Sequence, residues 1–169
     1  RPDKPADDLL GPAGEGFGMA RFLERQFRPL FALSFVTLAA LAWGNRFIQD
    51  DAFITFRYAE NFARGLGLVW NVGERVEGYT NFLWALLMGG GIGIGLEPVA
   101  FSQVLGLGCF VGSLLVLFAL SRRLLGSRII ALLTVLLLGT NYTFSAYATG
   151  GLETQLQTML CLLVAAASA

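Results

Sequence analysis

The chain has 169 residues, of which 55% are apolar and only 14% are charged, whereas about a quarter of a typical soluble domain is charged. The net charge is zero, so no basic excess points to nucleic acid as a partner. The absence of histidine removes the commonest neutral metal ligand, the usual general base and an imidazole ligand for haem. The apolar residues form long blocks, which predicts an all-α polytopic membrane protein. Cys109 and Cys161 both lie in apolar blocks, so we expect packed thiols rather than a disulfide.

The first 28 residues differ in composition from the rest of the chain. Residues 1–20 are rich in Pro, Gly, Asp and Ala without periodicity, which is typical of a flexible tail. Residues 21–28 combine arginines with Phe and Leu, a pattern that suits a short helix at the level of the lipid headgroups. We therefore predict a cytoplasmic tail with an interfacial basic segment over residues 1–28, and a membrane region over residues 29–169.

Five apolar blocks follow, at residues 29–43, 82–96, 99–120 and 129–148 and after Gly151. The second block has about fifteen residues, which is marginal for crossing a hydrocarbon layer about 30 Å thick. If this block does not cross, the basic clusters fall on one side, as the positive-inside rule prefers. Their members are Arg21, Arg25, Arg28, Arg122, Arg123 and Arg128. We therefore predict a cytoplasmic N-terminus, about four spanning helices, and an outer loop over residues 46–98 in which the second block is a juxtamembrane helix.

The polar stretch between the first two blocks contains a predicted amphipathic helix at residues 52–64 that lies on the membrane. Helical spacing separates a polar arc from an apolar arc. The polar arc holds Asp50, Arg57, Glu60, Asn61 and Arg64, and the apolar arc holds Ala52, Phe56, Ala59, Phe62 and Ala63. The glycines that follow are expected to end the helix.

An acidic pair, Asp50 and Asp51, stands at the start of this predicted helix. One interpretation is that one of the two is an N-cap. The other is that the pair supplies a general base, because a cap needs only one aspartate and both carboxylates stand close to the membrane. Arg57, two helical turns further on, either holds a phosphate group or forms a surface ion pair.

Glu153 follows two glycines and opens the last apolar block. A carboxylate in the first turn of a helix is favoured by the helix dipole. A carboxylate at the edge of a membrane segment is also a candidate functional residue. In the predicted topology Glu153 lies on the same side of the membrane as the acidic pair.

The order of these segments resembles the N-terminal part of the polytopic GT-C glycosyltransferases, which use polyprenyl-phosphate sugars. The resemblance covers about residues 30–160 and is carried by "DDAFITFRYAENFARG", "VEGYTN" and "GLET", with "SRRLLGSR" between the second and the third. The group includes protein mannosyltransferases and the aminoarabinose transferase of lipid A. The chain is most similar to the terminal arabinofuranosyltransferases of actinobacteria. In combination the three motifs are fairly specific for this group, whereas each alone is weak.

The resemblance implies roles for particular residues. The catalytic acid of the first outer loop corresponds to Asp50, with Asp51 beside it. Glu77 matches the acidic residue of the second loop motif. The lipid A enzymes have a lysine directly after that glutamate, where this chain has Gly78, so Arg57 or Arg75 is expected to bind the phosphate instead.

Two functions are consistent with the sequence. The first is a glycosyltransferase of the bacterial inner membrane, or its N-terminal part, that transfers a sugar from a polyprenyl phosphate to an envelope glycan or lipid on the outer side. The alternative is a structural subunit of a larger membrane complex, packed through the glycine-rich surfaces of the second and third blocks. The sequence carries no nucleotide-binding glycine motif, and a divalent cation stays an open question. The end at Ala169, inside an apolar run, predicts that further segments are needed for activity.

Overall fold

The computed structural model describes residues 26–74 and 76–169, and in these residues it contains helices and no strands. The helices are α1 (Phe27–Gly44), α2 (Asp50–Ala63), α3 (Phe82–Gly93), α4 (Pro98–Leu125), α5 (Arg128–Gly139), α6 (Tyr142–Ala146) and α7 (Thr154–Ser168). The architecture is that of an all-α membrane protein, as predicted. The predicted tail and most of the interfacial basic segment lie outside the described residues.

Two of the helices, α1 and α4, are long and apolar enough to cross a membrane. At 1.5 Å per residue, their 18 and 28 residues span about 27 and 42 Å. The fourth apolar block was expected to be one spanning helix, but the structure divides it into α5 and α6. The break lies at Thr140 and Asn141, where the Asn141 Oδ1 accepts a hydrogen bond of 3.0 Å from the Phe144 N–H and starts the next helix.

The helices α1 and α4 run antiparallel. Near the start of α1, the rings of Phe27 and Phe31 lie 6.0 and 4.8 Å from the ring of Phe118, close to the end of α4. Beyond the end of α1, the Gln103 side chain near the start of α4 donates a 3.2 Å hydrogen bond to the Phe47 carbonyl. The two ends of the bundle are therefore defined by the two ends of α4.

The other apolar helices pack around α4. The returning pair α5 and α6 closes the core that α1 and α4 share, and the buried members of this core are Leu38, Ala42, Phe110, Leu114, Val135 and Ala148. Helix α7 then follows α4 in the same direction, because Gly112 faces Met159 and Arg123 reaches the Ala166 carbonyl at the far end. The chain thus returns, before α7 begins, to the end of the bundle where α4 starts. Glu97 is the N-cap of α4, and we call this end the Glu97 end.

Helices α2 and α3 form a separate layer at the Glu97 end of the bundle. Their shared core contains Ala52, Phe56, Ala59, Trp84 and Met88. With 12 residues, α3 is about 18 Å long and too short to cross a membrane as one helix. These are the two short helices that the sequence predicted between the first and third apolar blocks.

The glycines of α3 allow this layer to pack closely. A Cβ atom on Gly89 would lie 2.7 Å from the Phe62 ring and 3.3 Å from the Ala59 carbonyl oxygen, and one on Gly91 would overlap the Phe101 ring. In α4, Gly112 similarly accommodates the Met159 sulfur. Several of the glycines that could have served a contact between subunits therefore serve contacts within the chain.

Candidate functional site

A cleft of about 420 Å³ opens where three segments meet at the Glu97 end of the bundle. One wall is the start of α2, the second is the loop before α3, and the third is the turn before α7. Its lining consists of Asp51, Ile54, Thr55, Gly78, Tyr79, Thr80, Asn81, Leu152 and Glu153. The three motifs that carry the family resemblance therefore meet in space.

The acidic pair occupies the first turn of α2. The structure does not support the interpretation that one aspartate is the N-cap, because the N-cap is Gln49, whose side chain makes no capping hydrogen bond. Both aspartates instead follow the cap, where the helix dipole favours a negative charge. Neighbouring helical positions point about 100° apart. Both side chains are exposed, but Asp51 lines the cleft and Asp50 does not.

The helix predicted at residues 52–64 is confirmed, but its solvent-facing arc differs from the prediction. Asn61 was placed among the exposed polar residues, yet it is only 2% exposed. Its side-chain amide donates hydrogen bonds of 2.8 and 3.0 Å to the carbonyls of Val69 and Trp70. Phe62, predicted on the apolar face, is 40% exposed. Because the loop after α2 folds back over the helix, it buries a polar position that helical periodicity alone assigns to solvent.

Tyr58 fixes the second wall of the cleft. Its hydroxyl donates to the Val76 carbonyl at 2.9 Å and accepts from the Gly78 N–H at 3.0 Å. The ring lies edge-on to Tyr79, with 4.8 Å between the centroids. The site at Gly78 has no room for a side chain, because a Cβ atom there would lie 2.7 Å from the Tyr58 hydroxyl. The glycine in "VEGYTN" is therefore explained by a close approach of the backbone to Tyr58.

Two hydrogen bonds attach the third wall to the layer of α2 and α3. The Gln49 N–H donates to the Gly150 carbonyl at 3.0 Å. The indole N–H of Trp84, a residue that is 1% exposed, donates to the Gly151 carbonyl at 3.0 Å. Gly151 adopts a φ of 83°, which only glycine adopts without strain. This turn directs the next two residues, Leu152 and Glu153, toward the cleft.

A hydrogen-bond network joins the three walls at Asn81. Its side-chain N–H groups donate to Glu153 Oε2 at 2.9 Å and to Thr55 Oγ1 at 3.0 Å. Glu153 is the N-cap residue of α7, but its carboxylate makes no capping hydrogen bond and is held by Asn81 instead. The sequence analysis missed Asn81 and Thr55 as site residues, although Asn81 is the last letter of the quoted "VEGYTN" motif.

The other predicted site residues lie around the cleft. Arg57 is exposed on α2 and does not line the cleft. Glu77 lines a neighbouring cavity of about 570 Å³, together with Tyr79 and the loop after α2. Arg75 lies outside the described residues. As far as the structure describes the chain, the lining of the cleft carries two carboxylates and no basic side chain.

Nothing in the described part of the chain forms a ready metal centre. Among residues 26–74 and 76–169, no three His, Cys, Asp or Glu side chains come together in a way that could hold a metal ion. The polar side chains that line the cleft are those of Asp51, Glu153, Asn81, Thr55, Thr80 and Tyr79. These groups can accept or donate hydrogen bonds to a hydroxyl-rich ligand.

An apolar groove of about 320 Å³ adjoins the cleft and runs between α3 and α7. Thr80, Asn81 and Glu153 line both cavities. Further along, the groove is lined by Phe82, Leu83, Trp84, Leu156, Gln157, Leu160 and Cys161. Both cysteines are free, but Cys161 is exposed in this groove, so the expectation of two packed thiols holds only for Cys109. A polar cleft that continues into an apolar groove suits an amphiphilic ligand.

Comparison with known proteins gives two related matches, both to parts of much longer chains. The chain is 42% identical over 65 residues to a terminal β-(1→2)-arabinofuranosyltransferase of Mycobacterium tuberculosis, a match that covers 36% of this chain and 10% of the relative. It is 45% identical over 42 residues to the protein of the same name in Corynebacterium glutamicum, covering 25% and 6%. The matched part thus spans a tenth or less of each relative. No protein-family model and no solved structure matches the chain.

Both relatives are glycosyltransferases by name, so the similarity supports the glycosyltransferase class for this chain. It agrees with the resemblance that the three sequence motifs carry. Together with the helical architecture, it identifies a membrane protein similar to part of an arabinofuranosyltransferase.

Proposed function

We propose that this chain forms part of a GT-C glycosyltransferase of the bacterial inner membrane. The enzyme transfers a sugar from a polyprenyl phosphate to a hydroxyl group of an envelope glycan or lipid on the extracytoplasmic side. The observation that carries the proposal is the cleft with its two carboxylates, which continues into an apolar groove at one end of the helix bundle. Arabinofuranose is the first sugar to test, because both relatives are named for its transfer.

In this reaction the acceptor hydroxyl attacks the anomeric carbon of the sugar. A carboxylate of the acidic pair takes the hydroxyl proton as general base. A new carbon–oxygen bond to the acceptor forms, the bond from the anomeric carbon to the phosphate oxygen breaks, and the polyprenyl phosphate leaves with the electron pair. The position of Asp51 in the cleft lining supports Asp51 as the base, while the family resemblance points to Asp50.

The remaining predicted residues bind the donor or the acceptor. Glu153, oriented by Asn81, accepts hydrogen bonds from sugar hydroxyls. Arg57 and Arg75 are the candidates for the phosphate, because an arginine fork binds phosphate oxygens in pairs. Glu77, in the neighbouring cavity, contacts the acceptor or the sugar from the loop side.

The polyprenyl tail occupies the apolar groove beside Cys161. We expect a polyprenyl-phosphate sugar to protect Cys161 from a maleimide reagent, because a bound tail covers the thiol. The experiment uses the product of the complete gene with every other cysteine replaced by serine, and it measures the rate of labelling with and without donor. Free sugar without the lipid should give no protection.

A matched control is a cysteine on a lipid-facing position away from the groove. Val104 on α4 is 59% exposed and does not line the groove, so Val104→Cys in a Cys161→Ser background should be labelled equally with and without donor. Protection at both positions would mean that the lipid slows labelling by changing the detergent or bilayer and not by binding in the groove. No protection at Cys161 would show that the polyprenyl tail does not bind in the groove.

The proposed orientation places the cleft outside and the α4–α5 turn in the cytoplasm. Cysteine substitutions at two exposed positions test it: Val72→Cys in the loop after α2 and Leu124→Cys at the end of α4, with side chains 71% and 63% exposed in the parent chain. We expect a membrane-impermeant maleimide added to intact cells to label position 72 and not position 124. Opening the cells should then expose position 124. Labelling of position 124 in intact cells would reverse the orientation.

The structural-subunit alternative loses part of its support in this fold. It was based on glycine-rich surfaces available for other subunits, but Gly89, Gly91, Gly106 and Gly112 contact side chains or backbone of this chain. Gly90, Gly95 and Gly108 have open space beside them and are the positions that such a contact would need.

A further inference from the structure

The end of the bundle opposite the cleft carries a cluster of arginines. Arg122 and Arg123 stand in the last turn of α4, and Arg128 is the first residue of α5. Arg28 belongs to the same end, because Phe27 beside it stacks on Phe118, one helical turn before Arg122. All four arginines are exposed.

None of the described acidic side chains lies near this cluster. The described acidic residues are Asp50, Asp51, Glu60, Glu74, Glu77, Glu97 and Glu153, and all belong to the layer of α2 and α3, the starts of α4 and α7, or the adjoining loop. Helix α4 separates the two ends by about 42 Å. That distance is several times the Debye length of about 8–10 Å at physiological salt, so the acids at the far end do not neutralise the arginines.

The arginines also border a recess. A cavity of about 430 Å³ is lined by Ala119, Arg122 and Arg123. The small side chain of Ala119 leaves space beside the two guanidinium groups. Arg123 Nη1 lies 3.5 Å from the Ala166 carbonyl, which holds its side chain toward α7. A guanidinium pair beside an open space matches the geometry of a phosphate group.

Apolar side chains continue from the same turn. Leu124 and Leu125, directly after the arginine pair, are 63% and 54% exposed. Exposed leucines next to arginines fit a position where lipid headgroups meet acyl chains. The surface around the recess therefore suits an anionic lipid, which has a charged headgroup and apolar chains, better than a free anion.

We propose that the α4–α5 turn binds the headgroup phosphate of an anionic phospholipid through Arg122 and Arg123, with Arg128 and Arg28 at the edge of the site. This site is separate from the cleft and does not depend on sugar transfer. Bound lipid stabilises the end of α4 against α7 and anchors this end of the bundle in an anionic leaflet.

The test measures binding of fluorescently tailed phosphatidylglycerol and phosphatidylcholine to the purified full chain in a non-ionic detergent. Each arginine near an anionic lipid surface contributes about 1 kcal/mol, or roughly a fivefold change in affinity. We therefore expect phosphatidylglycerol to bind the parent more tightly than phosphatidylcholine, and the double variant R122Q/R123Q to lose roughly 30-fold of the phosphatidylglycerol affinity.

The matched control is R46Q/R64Q, which removes the same charge at the other end of the bundle and should bind like the parent. Circular dichroism checks that both variants keep the helix content. Unchanged binding by R122Q/R123Q, or an equal loss in R46Q/R64Q, would overturn the proposal. Displacement of phosphatidylglycerol by millimolar inorganic phosphate would also overturn it, since the site would then take free phosphate.

Discussion

Asp51→Asn is expected to lower sugar transfer by the complete gene product by roughly 10²–10⁴-fold, the usual contribution of a general base. Asparagine keeps the size and one carbonyl oxygen of the side chain but cannot accept the acceptor's proton. The carboxylate lines the cleft in the first turn of α2, so its loss removes the charge where the proton is transferred. The measurement is the initial rate with a radiolabelled donor.

Asp50→Asn is the matched control, because it removes the same charge from the same helical turn. Asp50 does not line the cleft, so this change should weaken mainly the interaction with the helix dipole, which is worth about 0.3–1 kcal/mol. We expect a loss of activity below about tenfold, with normal membrane insertion for both variants. If Asp50→Asn proved the more damaging, the base would be Asp50, as the family resemblance implies. If neither mattered, the acidic pair would have no catalytic role.

Gly151→Ala is expected to lower the free energy of unfolding by about 2–5 kcal/mol. The residue has a φ of 83°, and a Cβ atom would overlap Ile48 Cδ1 and lie 2.8 Å from the Ala52 Cβ. A left-handed conformation costs a residue with a side chain about 1–2 kcal/mol, and overpacking costs about 1–3 kcal/mol more. Thermal or denaturant unfolding in detergent measures the effect.

Gly150→Ala is the control for this change, one residue earlier in the same turn. A Cβ atom there would lie 3.4 Å from the Phe47 ring, and the residue has no positive φ. We expect this variant to unfold within about 1 kcal/mol of the parent. Equal stability of the two variants would show that the turn does not pack on α2 as described. The position of the third wall of the cleft would then be wrong.

The helices themselves could be predicted because their signals are local. Hydropathy marks α1 and α4, and the spacing of apolar residues marks α2. The break between α5 and α6 was missed because the apolar side chains of Phe144, Ala146 and Ala148 were taken to continue the block past Thr140 and Asn141. The capping hydrogen bond of Asn141 to the Phe144 N–H decides this break, and it is a local feature that hydropathy does not record.

The tertiary contacts of the site were harder to predict. Asn61 was assigned to solvent because helical periodicity describes one helix and not its neighbours. In the structure, the loop at Val69 and Trp70 folds back onto α2 and covers Asn61. The glycines of α3 were read as a surface for other subunits, since the sequence does not show that Phe62 and Phe101 fill the space beside them. Glu153 was predicted to lie beside the outer loop, and its hydrogen bond to Asn81 joins residues 72 positions apart.

Sugar transfer itself tests the central claim most directly. Membranes from cells that express the complete gene, and from cells that lack it, are incubated with radiolabelled sugars on polyprenyl phosphate and with envelope acceptors. Our account predicts transfer of at least one sugar, arabinofuranose first, that depends on the gene and falls with Asp51→Asn. Membranes with normally inserted protein that transfer none of these sugars above the level of the deletion strain would contradict it.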